Sequence, residues 1–157
     1  MAFQEALQHL KIFGLDNRVK EFDESTATVE EAAKAVGCTE REIGKTMSFK
    51  DKNNNAFLIV IAGDGRIDNR KFKDEFKMKA TMLSPEEVET MVGHSIGGVC
   101  PFGINPKVDV YFDTSIKDHE YIYPACGSTN SCVKLTPEEM KMASRFKGWV
   151  TITKERT

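Results

Sequence analysis

The chain has 157 residues and carries 22 Lys and Arg against 24 Asp and Glu, a formal charge of −2. That length suits one domain, expected over 1–157, and the 40% hydrophobic and 29% charged fractions are ordinary for a globular protein. No run approaches the ~18–20 apolar residues of a membrane span, the start lacks a signal peptide's apolar region, and no large basic excess marks a general nucleic-acid coater, so a soluble, cytoplasmic protein is expected.

In chain order, a first helix is expected over 3–13, stopped by Gly14. Four further helix starts place Ser or Thr three residues before Glu, the pattern of a capping box: Thr28 with Glu31, Thr39 with Glu42, Ser84 with Glu87, and Thr136 with Glu139. The last two also put Pro85 and Pro137 at the first helical position, where a missing N–H costs nothing. Gly37 and Gly93 stand where helices should end. Strands are expected at 19–22, 46–49, 57–62, 81–83, 108–112, 121–125, 133–135 and 149–152. The Asp51-Lys52-Asn53-Asn54-Asn55 segment joins two of them as a hairpin. Capped helices interrupt the other strands, so the fold class is α/β, a mixed sheet with packed helices and not a regular doubly wound fold.

Three stretches stand out chemically. Residues 93–103 hold four glycines, which let backbone groups approach a ligand without Cβ obstruction. The stretch lacks the Lys-Ser/Thr ending of a phosphate loop and does not open a helix. It fits a ligand-holding loop or a plain tight connection. Lys45 sits where a short helix hands over to an apolar strand, a place for a functional ammonium or an ordinary snorkelling lysine. The small residues of 125–131 can satisfy a ligand's polar groups or simply turn the chain.

Other combinations are weaker. Cys100 with His94 supplies a nucleophile and a base, with no orienting group evident. Cys38, Cys100, Cys126 and Cys132 show no C-x2-C pair, so free thiols are expected before a zinc site. Arg66, Arg70, Lys71, Lys73, Lys77 and Lys79 outnumber the local acids by three, suiting either phosphate contact or a solvated helix face.

Taken in order, these pieces resemble a known family. The series runs Thr28-Val29-Glu30-Glu31-Ala32-Ala33, Gly44-Lys45-Thr46, Ala62-Gly63-Asp64-Gly65-Arg66-Ile67-Asp68, and Ser84-Pro85-Glu86-Glu87-Val88. It continues through Gly97-Gly98-Val99-Cys100-Pro101-Phe102-Gly103, Tyr111-Phe112-Asp113, Gly127-Ser128 and Leu135-Thr136-Pro137-Glu138-Glu139. It is similar to the YbaK/ProX family of aminoacyl-tRNA deacylases, related to the editing domain of bacterial prolyl-tRNA synthetases, over roughly residues 15 to 153.

The resemblance implies the YbaK/prolyl-tRNA synthetase-associated domain fold, a mixed α/β fold around a curved sheet. It implies hydrolysis of the ester joining a wrong amino acid to the tRNA 3′-terminal adenosine, with alanine, cysteine, serine and threonine all plausible. Lys45 falls on the family's signature lysine, with Thr46 beside it. Gly97, Gly98, Val99, Cys100 and Pro101 fall on its Gly-x-x-x-P loop, which holds the aminoacyl end, and Gly127 and Ser128 on a pocket-lining segment. Pocket size would be set by Phe22, Met47, Ile96, Val99 and Phe102. No metal, cofactor or membrane is implied. The expected partner is the acceptor end of an aminoacyl-tRNA, with a synthetase as a possible recruiter of a free-standing factor. The rivals are a non-catalytic tRNA- or synthetase-binding module of the same fold and a Cys100-dependent hydrolase.

Overall fold

Strand β3 (Ala56–Ala62) is buried at every residue. A strand apolar on both sides must be covered on both faces, and it forms the centre of a five-stranded mixed sheet in the computed structural model, which describes residues 2–155. Met1, Arg156 and Thr157 of the expected 1–157 unit lie outside the described residues.

The elements in chain order begin with α1 (Ala2–Ile12), β1 (Val19–Glu21), α2 (Val29–Val36) and β2 (Ile43–Lys50). After β3 come α3 (Asn69–Phe76), the single turn α4 (Pro85–Glu87) and β4 (Asp109–Asp113). The chain closes with β5 (Tyr123–Pro124), β6 (Ser131–Val133), α5 (Pro137–Ala143) and β7 (Phe146–Val150). The sheet order is β5-β2-β3-β4-β7, and β1 and β6 form a separate antiparallel ribbon. Only β2 and β3 pair antiparallel within the large sheet. Their hairpin is fixed by Asp51, whose Oδ1 accepts from the N–H groups of Asn53 and Asn55, while Asn54 takes a left-handed φ of 62°.

Side-chain alternation divides the interior. Leu58, Val60, Val110 and Phe112 face the larger core, with α1 and α5 over them. Phe57, Ile59 and Ile61 face a second core closed by Phe72 of α3. A third cluster packs Ala32 and Ala33 of α2 on Ile43 and Cys132. Asp113, fully buried, accepts from the N–H of Ile152, the N–H of Ser115 and the hydroxyl of Thr153, so it ties the chain after β7 to the end of β4.

Thr28, Ser84 and Thr136 each accept from the N–H three residues on, a cap that contributes about 1 kcal/mol in the usual case, while the Thr39 hydroxyl donates to the Glu42 carboxylate; the lengths of the elements they open differ from expectation. Thr39 opens only a single 3₁₀ turn, Glu40–Glu42, because Ile43 already belongs to β2. Ser84 opens α4, which continues as one wider π-type turn over Val88–Val92 and ends at Gly93, φ 103°. The strand expected at 81–83 is only a bridge from Met82 to Phe49. That expected at 121–125 shrinks to Tyr123–Pro124, since Pro124 has no N–H to donate. The strands expected at 133–135 and 149–152 lie slightly earlier, at Ser131–Val133 and Phe146–Val150.

Candidate functional site

The site follows from incomplete coverage of one sheet edge. β5 pairs with β2 only at Ile43 and Gly44. Farther along, the 81–83 segment covers β2 again: Leu83 N–H donates to the Ser48 carbonyl, and Lys50 N–H donates to that of Thr81. Between these covers, Lys45, Thr46 and Met47 have no strand on their outer side among the described residues. A cleft of about 640 Å³ opens there. Its floor is this bare edge; its walls are 26–30 at the start of α2, Ile96, Gly97 and Val99, and Tyr123, Ala125 and Cys132.

Alternation sends neighbouring β2 side chains to opposite faces. Thr46 and Ser48 pair with Val60 and Leu58 and share their face. Lys45 and Met47 pair with Ile61 and Ile59 on the other. The Lys45 side chain is exposed and forms no hydrogen bond or ion pair with the described residues. Thr46 Oγ1 is buried with no hydrogen-bond partner among the described residues, and an unpaired buried hydroxyl costs about 1–3 kcal/mol. A ligand oxygen or N–H in the cleft would relieve that cost.

The glycine-rich loop meets the 125–131 segment back to back. A Cβ on Gly98 would lie 2.7 Å from Ser128 N and 2.9 Å from Gly127 C, so backbone packs on backbone there. Gly97 and Val99 line the cleft; Gly98, Cys100, Pro101, Gly127 and Ser128 are not part of its lining. Gly98, Cys100, Pro101 and Gly127 are buried behind it. The Ser128 hydroxyl hydrogen-bonds with Ser131 and donates to Asn130 Oδ1. Of the expected size-setting residues, Met47, Ile96 and Val99 line the cleft, while Phe102 is a core residue at 0% exposure. Phe22 lines a neighbouring groove instead.

Sequence reasoning missed Thr26, Glu30, Glu40, Ser48, Gly63, Met82 and Tyr123, all of which line the cleft. Glu30 and Glu40 were hidden inside helix-start patterns. Gly63 carried a usable signal, a glycine directly after a wholly apolar strand, which often marks close backbone approach.

His94 and Cys100 do meet, with Cys100 Sγ 3.4 Å from His94 Nε2, but in the core. The His94 Nε2–H donates to the Phe102 carbonyl at 2.9 Å, and burial pushes the Cys100 thiol well above the usual thiol range. A buried thiol held neutral is not a nucleophile, which removes the physical ground for a Cys100-dependent hydrolase. Among the described residues no group of three or more His, Cys, Asp or Glu is placed to hold a metal ion. The basic residues of 66–79 build α3 and its flanks, with Phe72 and Phe76 facing the second core and Lys71 Nζ donating to the Thr153 carbonyl.

His94 gives the fold a pH dependence. Burial lowers its pKa from the ordinary 6.5, and Nδ1 is enclosed without a partner among the described residues. The unfolded chain therefore binds a proton more readily, so His94's contribution is full above about pH 6.5 and is lost as pH falls toward the folded-state pKa. The Tm of the wild type should fall between about pH 7.5 and pH 5.5 more steeply than that of His94→Gln. Equal slopes would refute this assignment.

The comparisons with known proteins agree in one direction. A family model described as the aminoacyl-tRNA editing domain matches residues 23–142. The uncharacterized protein YwhH of Bacillus subtilis is 43% identical over 155 residues, covering 99% of each chain. The proline–tRNA ligase of Kosmotoga olearia is 32% identical over 91 residues, which is 57% of this chain and 16% of the ligase. The crystal structure of a putative trans-editing enzyme for prolyl tRNA synthetase superposes with a TM-score of 0.87 at 26% identity, over 98% of each chain.

Proposed function

This chain belongs to the aminoacyl-tRNA editing domain family, and from that premise we propose that it is a trans-editing hydrolase. Its reaction is cleavage of the ester between a small, misattached amino acid and the 3′-terminal adenosine of a tRNA. The observation that carries this reading is the cleft on the bare edge of β2, lined by a lysine and a threonine hydroxyl that have no side-chain partner among the described residues, with loops of small residues as its walls. Action in trans is supported by the likeness, over nearly the whole length of both chains, to a structure described as a trans-editing enzyme.

The chemistry asks little of the protein. A water oxygen adds to the ester carbonyl carbon, the carbonyl oxygen becomes negative, and the bond to the ribose oxygen then breaks. The ribose oxygen takes a proton, and the free amino acid leaves. An aminoacyl ester is already activated, so positioning the water and stabilising charge supply much of the acceleration. Lys45 provides a positive charge for the phosphate of the terminal nucleotide or for the developing oxyanion. Thr46 Oγ1 offers a hydrogen bond to the ligand, with Ser48 beside it on the same face. Met47, Ile96 and Val99 bound the space for the amino-acid side chain, and exclusion by size separates amino acids that differ by a methylene. Alanine, cysteine, serine and threonine are the residues proposed for removal.

The test is a panel of tRNAs, each charged with one small amino acid. Fast release of one or two of them supports the deacylase and names the substrate. Binding of aminoacyl-tRNA without hydrolysis across the panel overturns it in favour of a binding module that uses the same cleft.

A further inference from the structure

A second groove, about 420 Å³, lies on the far side of Tyr123 and Cys132, which line it and the cleft alike. It is built on one face of the β1–β6 ribbon. Lys20 pairs with Cys132 in that ribbon. The ladder runs on at both ends, with Phe22 N–H donating to the Asn130 carbonyl and Lys134 N–H to that of Arg18. Alternation therefore sends Lys20, Phe22, Cys132 and Lys134 to the same face and Glu21 to the opposite one.

Among the described residues no Asp or Glu lines this groove. Of its three cations, Arg18 is already bound to Glu139 by two parallel hydrogen bonds of 2.9 Å. Lys20 and Lys134 are exposed and form no ion pair with the described residues. Their ammonium groups rest on aromatic faces instead, Lys20 5.4 Å from the ring centre of Phe22 and Lys134 4.3 Å from that of Tyr121. The half-buried Tyr123 ring stands between groove and cleft, and its hydroxyl has no hydrogen-bond partner among the described residues. Two cations without an ion pair among the described residues, in a groove lined by the Phe22 and Tyr123 rings, suit a phosphate joined to a base, the pattern of single-stranded nucleic-acid grooves. For a chain of net charge −2, such a local patch is how a polyanion is held.

We propose that this groove binds the nucleotide preceding the terminal adenosine, with its phosphate on Lys20 and Lys134 and its base against Phe22 and Tyr123. The inference rests on the deacylase reading for the identity of the chain that enters it, and its test is separable from that reading. The probe is a fluorescein-labelled, uncharged CCA trinucleotide, followed by anisotropy with adenosine as reference ligand.

The Lys20→Ala/Lys134→Ala double variant should bind the trinucleotide about tenfold or more weakly, with the slope of log K against log salt shallower by about one. Both lysines are exposed, so the fold should survive. Phe22→Leu, which keeps apolar volume against α2, should weaken trinucleotide binding about fivefold through lost stacking. Wild-type binding of CCA no tighter than adenosine, or equal CCA affinity in wild type and double variant, overturns the groove assignment. Ester hydrolysis by the wild type is scored separately. Lysine-dependent CCA binding without hydrolysis keeps the groove and sinks the deacylase; hydrolysis with lysine-independent binding does the reverse.

Discussion

Lys45→Ala should lower kcat/KM for the preferred aminoacyl-tRNA by about a hundredfold or more, the usual loss when one donor to a developing oxyanion is removed. The fold should be unaffected. The Lys45 side chain is exposed and holds no hydrogen bond or ion pair with the described residues, and exposed substitutions of this kind usually change stability by under about 0.5 kcal/mol. The division of the loss separates the two tasks open to the ammonium. A fall confined to kcat places the charge on the carbonyl oxygen as it turns negative; a rise confined to KM places it on the phosphate. Lys45→Arg keeps the charge but not the compact point donor, so it should recover phosphate binding better than oxyanion stabilisation. Wild-type kinetics in Lys45→Ala would contradict the role given to this residue.

The sequence announces local structure more plainly than it announces the cleft. Capping signals act within four residues, so Thr28, Ser84 and Thr136 mark true helix starts. The apolar run of β3 and the Asp51 turn fix the central hairpin in the same local way. What shortens the helix at Thr39 to a single turn is tertiary: Ile43 is claimed by the sheet. The cleft depends on where β5 stops pairing and where the 81–83 segment resumes, and neither is written in a local pattern. The resemblance brings Lys45, Thr46, Gly97 and Val99 to attention, and all four line the cleft. It also brings Gly98, Cys100, Pro101, Gly127 and Ser128, which lie outside the cleft lining. Motif adjacency does not say which residues of a loop face inward. Gly98 and Gly127 are small because backbone packs on them, from Ser128 in one case and Ala2 in the other.

The same distinction makes Gly63→Ala the most damaging small substitution near the site. Gly63 follows β3 and touches the cleft. A Cβ there would lie 2.1 Å from the Glu40 carbonyl oxygen, 2.8 Å from Val29 Cγ1 and 3.1 Å from Ile43 Cβ. The first contact is with backbone, which cannot swing aside as a side chain can. Either the turn after β3 or the 3₁₀ turn at Glu40 must move. Forced overpacking costs about 1–3 kcal/mol, occasionally more, which for a chain of this size lowers Tm by about 2–12 °C. Activity should fall further than stability explains, because Val29, Glu40 and Ile43 are all cleft residues and would be displaced together. The matched control is Gly148→Ala in β7. Beyond Gly148 itself and its chain neighbours, no atom of the described residues lies within 4 Å of a Cβ built there, and its φ is not in the left-handed region. That variant should keep both Tm and kcat/KM. Equal Tm values for the two variants would show that the chain around Gly63 yields more easily than its packing implies. A normal Tm with lost deacylation in Gly63→Ala would show the strain relieved by opening the cleft, the outcome that most directly ties this glycine to the site.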